Sequence, residues 1–327
     1  MTISVALCTH NGERFVGRQI ASILDQTRQA DELVLSDDAS ADGTVAVVVD
    51  AFEQARLAGR AVPELIVLRN PEPLGVTANF EAALAACSGD LLVLSDQDDE
   101  WEPDKLQRLE EGFAARPGLL FLHSDAALID DAGTPAGGTL FGALEVGEAE
   151  RAAVHSGAAF GVFLRRNLAT GATSAIAREL LALSRPFPAE WVHDEWLAIQ
   201  AAARERLDLT ERVLTRYRRH DANQIGAGDP TLRHKVSRVL GTRGDRNLRL
   251  ASRSAVLRDR LAEAADVPRG HVAAAAAKAE FERTRAAFPA SRLRRFLPTL
   301  RLALGGDYAR YASRGRLDII RDLLQPV

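Results

Sequence analysis

The feature that most constrains the fold is an alternation of short apolar runs with helical patterns through residues 3–125. The apolar runs end in polar residues, as expected for the buried strands of a parallel sheet. They are ISVALCT (3–9), ELVLSDD (32–38), ELIVLRN (64–70), LLVLSD (91–96) and LLFLHSD (119–125). Helical patterns lie between them, at about 15–24, 42–59, 75–87 and 103–116. This alternation predicts a doubly wound, mostly parallel α/β sheet flanked by helices and joined by right-handed crossovers.

Length and composition indicate a folded protein with more than one part. The 327 residues suit one large α/β domain plus an extension, or two domains, and 46% of them are hydrophobic. The two cysteines, Cys8 and Cys87, are too few for a disulfide framework and favour buried thiols in a reducing compartment. The N-terminus lacks the basic region of a signal peptide, and no apolar run is long enough to cross a membrane.

The charges divide the chain into two regions. Residues 1–227 hold 20 basic and 35 acidic residues, a balance of −15, whereas residues 228–327 hold 21 and 10, a balance of +11. Such a split predicts one domain over 1–227 and a separate basic, Ala- and Arg-rich helical region over 228–327. Within that region RLRRFLPTLRLALGG (292–306) reads as a basic amphipathic helix, with Leu293, Phe296, Leu297 and Leu300 on one face.

Polar side chains collect at the predicted strand ends, which is where sheets of this type bind ligands. SDQDDEW (95–101) places Asp96, Asp98 and Asp99 directly after a buried strand. Three carboxylates there repel one another unless a cation or hydrogen-bond donors compensate, and Mg²⁺ or Mn²⁺ shared with substrate phosphates would do so. The plainer interpretation is a solvated turn before a helix. Neither the GxGxxG dinucleotide fingerprint nor the GxxxxGK[ST] P-loop is present.

Five stretches, in order, resemble the family 2 glycosyltransferases of the GT-A fold, and rhamnosyltransferase-like members in particular. They are ISVALCTHNGERFVGRQIASILDQT (3–27), LVLSDDASADGT (33–44), SDQDDEW (95–101), HDEW (193–196) and YRRHDANQIG (217–226). The resemblance covers residues 2–227. It implies a GT-A catalytic domain over 1–227, with a nucleotide-sugar half at 1–130, an acceptor half at 131–227 and a C-terminal helical extension.

The resemblance also implies roles for individual residues. Asp194 would be the general base that takes the proton of an acceptor hydroxyl in one inverting displacement. From its local sequence alone a helix cap is an equal alternative, and Glu195 is the neighbour most easily confused with it. Asp98 and His220 would hold Mg²⁺ or Mn²⁺, with Asp99 as an alternative ligand. The nucleotide-sugar donor would contact Thr9, His10, Asn11, Glu13, Asp38, Asn79, Asp96, Gln97 and Arg218.

The implied partners are a dTDP- or UDP-sugar donor, with rhamnose as the favoured sugar, and a glycan or lipid-linked glycan acceptor in bacterial surface polysaccharide synthesis. We expect a cytoplasmic protein. The tail over 290–327 either lies on the inner face of the cell membrane or packs on the catalytic domain or on a partner subunit, which leaves a homo-oligomer open. Nucleic-acid binding is not expected, because no nucleic-acid motif is present and the acidic half would repel phosphate.

Two other functions stay open at this stage. A sugar nucleotidyltransferase would use a similar sheet, but CTHNGERF (8–15) is not the Gly-rich, basic phosphate loop expected after its first strand. A catalytically inactive scaffold with this fold would not need Asp96, Asp98 and Asp194, and all three are intact.

Overall fold

The computed structural model describes residues 1–220 and 244–325, and the described chain divides into two compact units. The first unit comprises residues 1–157, 168–201 and 206–220, and the second comprises 158–167, 202–205 and 244–325. The domain boundary predicted at 227/228 lies outside the described residues, as do residues 221–226 of YRRHDANQIG.

A mixed sheet of nine strands forms the centre of the first unit, counted over the described residues. The strands are β1 (Ile3–Thr9), β2 (Glu32–Asp37), β3 (Glu64–Arg69), β4 (Leu91–Ser95), β5 (Glu100–Trp101), β6 (Phe121–Ile129), β7 (Pro135–Thr139), β8 (Ser174–Ala177) and β9 (Leu207–Arg218). Their order is β3-β2-β1-β4-β8-β6-β9-β5, with β7 paired to β6. Strands β1 to β4 are mutually parallel, as are β6 and β9, whereas β8 is antiparallel to both of its neighbours.

The mostly parallel sheet predicted from the alternation is confirmed, with two differences. The last predicted strand continues as β6 to Ile129, because it pairs along its length with β9. The short strand β8 enters between β4 and β6 and runs against both, so these two strands are not neighbours. The four residues of β8, SAIA, are too few to show a strand pattern in the sequence, so this insertion could not be predicted.

Helices cover the sheet of the first unit and supply its apolar layers. Their bounds, with one short helix of the second unit, are α1 (Glu13–Leu24), α2 (Thr44–Leu57), α3 (Val76–Ala86), α4 (Lys105–Ala115), α5 (Leu140–Ala143), α6 (Glu148–His155), α7 (Ala159–Phe163, second unit), α8 (Arg178–Ser184) and α9 (His193–Ala203). Helices α1, α2 and α4 bury one apolar face each against the strands, as the 3.6-residue spacing predicts. Asp42 accepts a hydrogen bond from the backbone N–H of Thr44 at 3.1 Å, which satisfies one free donor at the start of α2.

The second unit is helical and contains a buried ionic cluster. Besides α7 its described helices are α10 (Arg246–Glu263), α11 (Arg269–Ala286), α12 (Arg292–Leu304), α13 (Asp307–Tyr311) and α14 (Arg316–Leu324). Helices α10 and α11 pack together, as do α12 and α14. Buried Arg285 pairs with Asp322 at 2.6 Å and with Glu282 at 2.7 Å, and the Tyr308 hydroxyl donates to Asp322 at 2.7 Å. In the described residues no helix is both long and apolar enough to cross a membrane.

Candidate active site

Most of the predicted site residues lie at one edge of the sheet, at the carboxyl ends of β1, β2 and β4. These three strands are parallel, and their registers place Thr9 beside Asp37 and Leu7 beside Ser95. The segments that leave them therefore emerge on the same side. They carry His10 and Asn11, Asp38, and Asp96 to Asp99.

The side chain of Gln97 ties the acidic segment to the end of β1. Its Oε1 accepts from the N–H of His10 at 2.8 Å, and its Nε2 donates to the carbonyl of His10 at 3.1 Å. A Cβ on Gly12 would overlap the Gln97 carboxamide, so only glycine permits this approach. The buried Thr9 hydroxyl donates to Asp37 at 2.8 Å. Thr9 and Gln97 thus hold the strand ends in register.

The residues beside this segment also have partners within the protein. Asn11 has a φ of +48° and accepts from the N–H of Ala41 at 2.9 Å. The carboxylate of Glu13 accepts from the N–H of Gly43 at 2.9 Å, next to the start of α2. His10 is exposed, and its Nδ1 lies 2.5 Å from the carbonyl oxygen of Asp38. Their contacts with a donor stay predictions.

Asp38 and Asn79 are buried and hold the segment that leads into α3. The Asp38 carboxylate accepts from the N–H groups of Leu74 at 2.7 Å and Gly75 at 2.9 Å. Asn79 accepts from the Ser36 hydroxyl at 2.6 Å and donates to the Ser36 carbonyl at 3.0 Å. Both side chains therefore fix the shape of this wall of the site, and a direct donor contact is a prediction for each.

The carboxylates after β4 form an electrostatically coupled cluster with Asp194. Burial, followed by the charges of Asp98 and Asp194, raises the pKa of Asp96 to about 7. Burial, with Asp98 and Asp96 nearby, also raises the pKa of Asp99 well above its usual range. Asp99 Oδ1 accepts from the N–H of Arg218 at 2.9 Å, whereas its buried Oδ2 has no hydrogen-bond partner among the described residues. The site thus brings several carboxyl groups together at a strand end where Asp99 is buried and Asp96 and Asp98 are half-buried.

Lys105, which the sequence did not point to, is a buried lysine near this cluster. Its Nζ donates to the carbonyl of Ala172 at 2.8 Å and to the Thr215 hydroxyl at 2.9 Å, and lies 4.1 Å from the centre of the Trp101 ring. Burial lowers the pKa of Lys105 to about 7, and the nearby Asp99 and Asp96 oppose that shift. The available signal was its position on the apolar face of α4, which it shares with Leu109 and Phe113.

Asp98 and His220 bring two metal-ligand atoms together from the ends of β4 and β9. Asp98 Oδ2 lies 2.9 Å from His220 Nε2, and the imidazole stacks on Phe15 with ring centres 4.9 Å apart. Arg218 Nε donates to the backbone carbonyl of Asp98 at 2.7 Å. Arg218 therefore fixes the backbone of Asp98, while the Asp98 carboxylate faces the His220 imidazole.

Arg218 was predicted to contact the nucleotide-sugar donor, but its guanidinium already binds groups inside the protein. Its side chain is fully buried, and Nη1 donates to the carbonyls of Asp130 at 3.0 Å and Asp131 at 3.1 Å. Nη2 pairs with Glu100 at 2.6 Å. In this arrangement Arg218 positions the loops around the site, and binding of a donor by Arg218 stays a prediction.

The carboxylate oxygen of Asp98 and the ring nitrogen of His220 suit a hard divalent cation that takes its other ligands from a substrate. No group of three or more His, Cys, Asp or Glu side chains in the described residues is arranged to hold a metal alone. Mg²⁺ commonly keeps water and substrate phosphates and uses only one or two carboxylates. The unpartnered Oδ2 of Asp99 is a further oxygen in the same segment.

Asp194 lies in the first turn of α9 and is held by two backbone donors. Its Oδ2 accepts from the N–H of Gly171 at 2.9 Å, and its Oδ1 accepts from the N–H of Glu195 at 2.6 Å. A carboxylate at this point also offsets the positive end of the helix, so base and helix-end acceptor are compatible roles. A Cβ on Gly171 would lie 2.8 Å from Nε2 of His193, so a larger residue there requires the ring or the turn to shift.

Comparisons with known proteins find likeness to one family in the N-terminal part of the chain. Residues 4–131 match the family model described as Glycosyl transferase family 2. An uncharacterised glycosyltransferase of Nostoc sp. is 36% identical over 123 residues, 38% of this chain and 36% of that protein. The Escherichia coli enzyme WfgD, a UDP-Glc:alpha-D-GlcNAc-diphosphoundecaprenol beta-1,3-glucosyltransferase, is 26% identical over 129 residues, 39% of this chain and 47% of that protein. The matched segment thus spans less than half the length of either relative.

Solved structures extend the likeness to nearly the whole chain, at identities that show the fold alone. S. aureus TarS 1–349, in complex with UDP-GlcNAc, has a TM-score of 0.59 and 14% identity, and the match covers 99% of this chain and 90% of that one. The mannosyltransferase PcManGT of Pyrobaculum calidifontis, in complex with GDP-Man and Mn²⁺, has a TM-score of 0.57 and 17% identity, and covers 98% and 84%. The expected GT-A fold with C-terminal helices is confirmed, and residues 4–131 match the glycosyl transferase family 2 model.

Proposed function

We propose that this chain is an inverting glycosyltransferase that moves a sugar from a nucleoside-diphosphate donor to a hydroxyl group of a glycan. The observation that carries the proposal is the convergence of Asp194, the Asp96–Asp99 segment and His220 at one sheet edge. His220 is 122 positions from Asp98 in sequence, yet the two side chains are 2.9 Å apart. Asp194 belongs to another distant segment and is close enough to raise the pKa of Asp96.

In the proposed reaction Asp194 accepts the proton of the acceptor hydroxyl. The hydroxyl oxygen forms a bond to the anomeric carbon while the bond from that carbon to the diphosphate oxygen breaks, and one displacement inverts the configuration. The N–H groups of Gly171 and Glu195 orient the carboxylate for this transfer. General base catalysis of this kind contributes about 10²–10⁴-fold to the rate.

Asp98 and His220 are the residues proposed to hold Mg²⁺ or Mn²⁺, with Asp99 beside them. When bound, such a metal neutralises the charge that develops on the leaving diphosphate. The nearby Lys105 offsets part of the charge of Asp96 and Asp99. Arg218 keeps the backbone of Asp98 in place through the 2.7 Å bond to its carbonyl. Lys105 therefore reduces the repulsion within the Asp96–Asp99 segment, and Arg218 fixes its backbone.

We propose a dTDP- or UDP-sugar as the donor, with rhamnose as the first sugar to test, and a lipid-linked glycan as the acceptor. The resemblance of SDQDDEW and HDEW to rhamnosyltransferase-like proteins supports rhamnose. The name of the relative WfgD supports a diphosphate-lipid acceptor, because it gives both a UDP-sugar and a diphosphoundecaprenol glycan. Bacterial surface polysaccharide synthesis is the process that joins such a donor and acceptor.

Calorimetric titration with UDP, dTDP and GDP, each with Mn²⁺ and with EDTA, tests the proposal. We expect one nucleotide to bind only with the metal, and Asp98→Ala to weaken that binding at least about tenfold, since one of two protein ligands is lost. Asp104→Ala, at a half-buried ion pair with Arg108, is the matched control. Unchanged binding by Asp98→Ala would exclude Asp98 as a ligand, and no binding of any nucleotide would favour the inactive scaffold.

A further inference from the structure

Two helices of the second unit leave most of their large apolar side chains in solvent. Among the described residues, eight of the fourteen exposed large hydrophobic side chains lie on α12 and α14. They are Leu293, Phe296, Leu297, Leu300 and Leu304 on α12, and Leu317, Ile320 and Leu324 on α14. Leu293 is 89% exposed and Leu304 is 81% exposed. We refer to these eight residues as the apolar stripes.

The apolar stripes are not needed to close the core of this unit. On α12 the exposed residues recur at helical spacing, while Arg295 and Thr299 on the other face are buried. Arg295 Nη2 donates to the carbonyl of Gln325 at 2.8 Å, which fixes α12 with its apolar stripe outward. The buried cluster beneath consists of Phe281, Tyr308 and Ala312. An exposed stripe on a helix whose other face is already packed marks an interaction surface.

The charges around the apolar stripes are almost entirely positive. Arginines with exposed side chains flank them, namely Arg292, Arg294, Arg301, Arg310, Arg314 and Arg316. The acidic residues of α14, Asp318 and Asp322, are fully buried, and they pair with Arg246 and Arg285. Asp307, partly buried, is the other carboxylate described between α12 and α14. The surface thus combines aliphatic side chains with uncompensated arginines.

We propose that the apolar stripes and their arginines dock on an anionic lipid surface. A helix with this pattern lies in the headgroup region, where leucine and phenylalanine reach the acyl chains and arginine pairs with lipid phosphates. A spanning role does not fit, since no described helix is long and apolar enough to cross a membrane. Two copies joined through the same face would bring like charges together. The proposal does not depend on the proposed glycosyltransferase activity, because lipid binding needs neither donor nor acceptor.

Cosedimentation of the full chain with vesicles tests the docking surface. We expect binding to vesicles of phosphatidylcholine mixed with phosphatidylglycerol, weak binding to phosphatidylcholine alone, and release as salt is raised. Leu293→Ser/Phe296→Ser/Leu297→Ser should weaken partition to the anionic vesicles at least about tenfold, because three exposed apolar side chains are lost. Arg292→Glu/Arg294→Glu/Arg301→Glu should weaken it at least about tenfold as well.

Leu57→Ser/Leu248→Ser is the matched control, since both leucines are exposed at 89% and 62% but lie on other helices. It should bind vesicles as the wild type does, and circular dichroism melting should show that every variant is folded. Deleting α12 to α14 is not a suitable test, because it would leave buried Arg285 without Asp322.

Three outcomes would overturn the proposal. The first is that the intact chain does not bind anionic vesicles. The second is that the serine triple variant binds them as tightly as the wild type does. The third is that the wild type does not bind vesicles but sediments as a dimer, and that the serine triple variant sediments as a monomer. This result would assign the surface to a second copy of the chain.

Discussion

Asp194 illustrates how one carboxylate is fixed by its neighbours before any substrate arrives. Two backbone N–H groups hold its oxygens, and one of them comes from Gly171, which is 23 positions away in sequence. Asp194 itself is buried, and its charge contributes to the raised pKa of Asp96. A base held in this way loses little rotational freedom on meeting an acceptor hydroxyl, which favours efficient proton transfer.

The proposed base can be removed without removing the shape of its side chain. Asp194→Asn should lower the turnover number about 10²–10⁴-fold, because the amide cannot accept the proton. Donor nucleotide affinity should stay within about threefold of the wild type, since metal and nucleotide contacts are kept. Rate measurements and calorimetry on one preparation separate these effects, with Glu195→Gln as the control. Transfer at near wild-type rate by Asp194→Asn would assign the base to another residue.

Lys105 carries a prediction about stability. Lys105→Met should lower the free energy of unfolding by about 2 kcal/mol, because two buried hydrogen bonds are lost and the Ala172 carbonyl keeps only the 3.3 Å bond from the Thr215 hydroxyl. Urea denaturation without metal measures this change. Gln107→Met, an exposed position on α4, is the control and should change stability by less than about 0.5 kcal/mol. A Lys105→Met variant as stable as this control would show that the buried ammonium contributes little.

At the residue scale the sequence predicted acidic groups better than the groups that hold them. Asp96, Asp98 and Asp194 stand in short patterns that are visible in the printed chain. Lys105 does not, because its partners Ala172 and Thr215 are 67 and 110 positions away. The same holds for Arg218, where the motif suggested a group open to the donor and the fold buries its guanidinium against main-chain carbonyls.

At the scale of elements, the approach of α9 to the short turn before β8 sets the position of the proposed base. Gly171 passes within contact of the His193 ring, and that ring stacks on Phe80 of α3 with centres 3.8 Å apart. Neither ring nitrogen of His193 has a hydrogen-bond partner among the described residues. Packing, rather than hydrogen bonding, therefore holds the ring that fixes this approach.

This contact gives a prediction at the element scale. Gly171→Ala should reduce the turnover number about tenfold or more with little change in nucleotide affinity, because the added methyl group displaces the His193 ring or the N–H that orients Asp194. Gly161→Ala is the control, since a Cβ there meets nothing within 4 Å. Equal turnover by the two variants would mean that the turn adjusts without disturbing the base.

The elements that the sequence could predict are those with a repeating pattern. Strands β1 to β4 and the helices between them follow from apolar runs and helical spacing, and the structure starts each strand where its run begins. The pairings of β5 with β9 and of β8 with β4 and β6 could not be predicted, because two or four residues carry no period.

At the scale of the whole molecule, buried titrating groups act on stability in opposite directions. Burial lowers the pKa of His123 and of His193 to about 3, so the unfolded chain takes up these protons first and stability falls as pH drops from about 6.5 towards 3. The raised pKa of Asp96, about 7, acts the other way, and its contribution falls as pH rises from about 4 to 7. Between pH 4 and 6.5 the two effects partly cancel.

Removing one of the two histidines should change how the free energy of unfolding depends on pH. His193→Gln should make the slope of unfolding free energy against pH more negative by about 1.4 kcal/mol per pH unit between about pH 4 and 6, since one fewer proton is taken up on unfolding. Denaturant titrations over this range in metal-free buffer measure the slope. Phe80→Leu alters the same packing without removing a titrating group and should keep the wild-type slope. Parallel slopes for all three proteins would contradict the assignment to His193.

The return of β9 to the acidic segment has a consequence for the order in which the chain can fold. Bonds from Arg218 and His220 to Asp98 and Asp99 close loops of 119 to 122 residues. Contacts so distant in sequence form slowly, because the closure entropy is lost before the contacts form. During synthesis the first four strands leave the ribosome long before residue 218. A fragment that ends before β9 would therefore keep the acidic segment but leave it loose, and we expect it to be an early target of proteases.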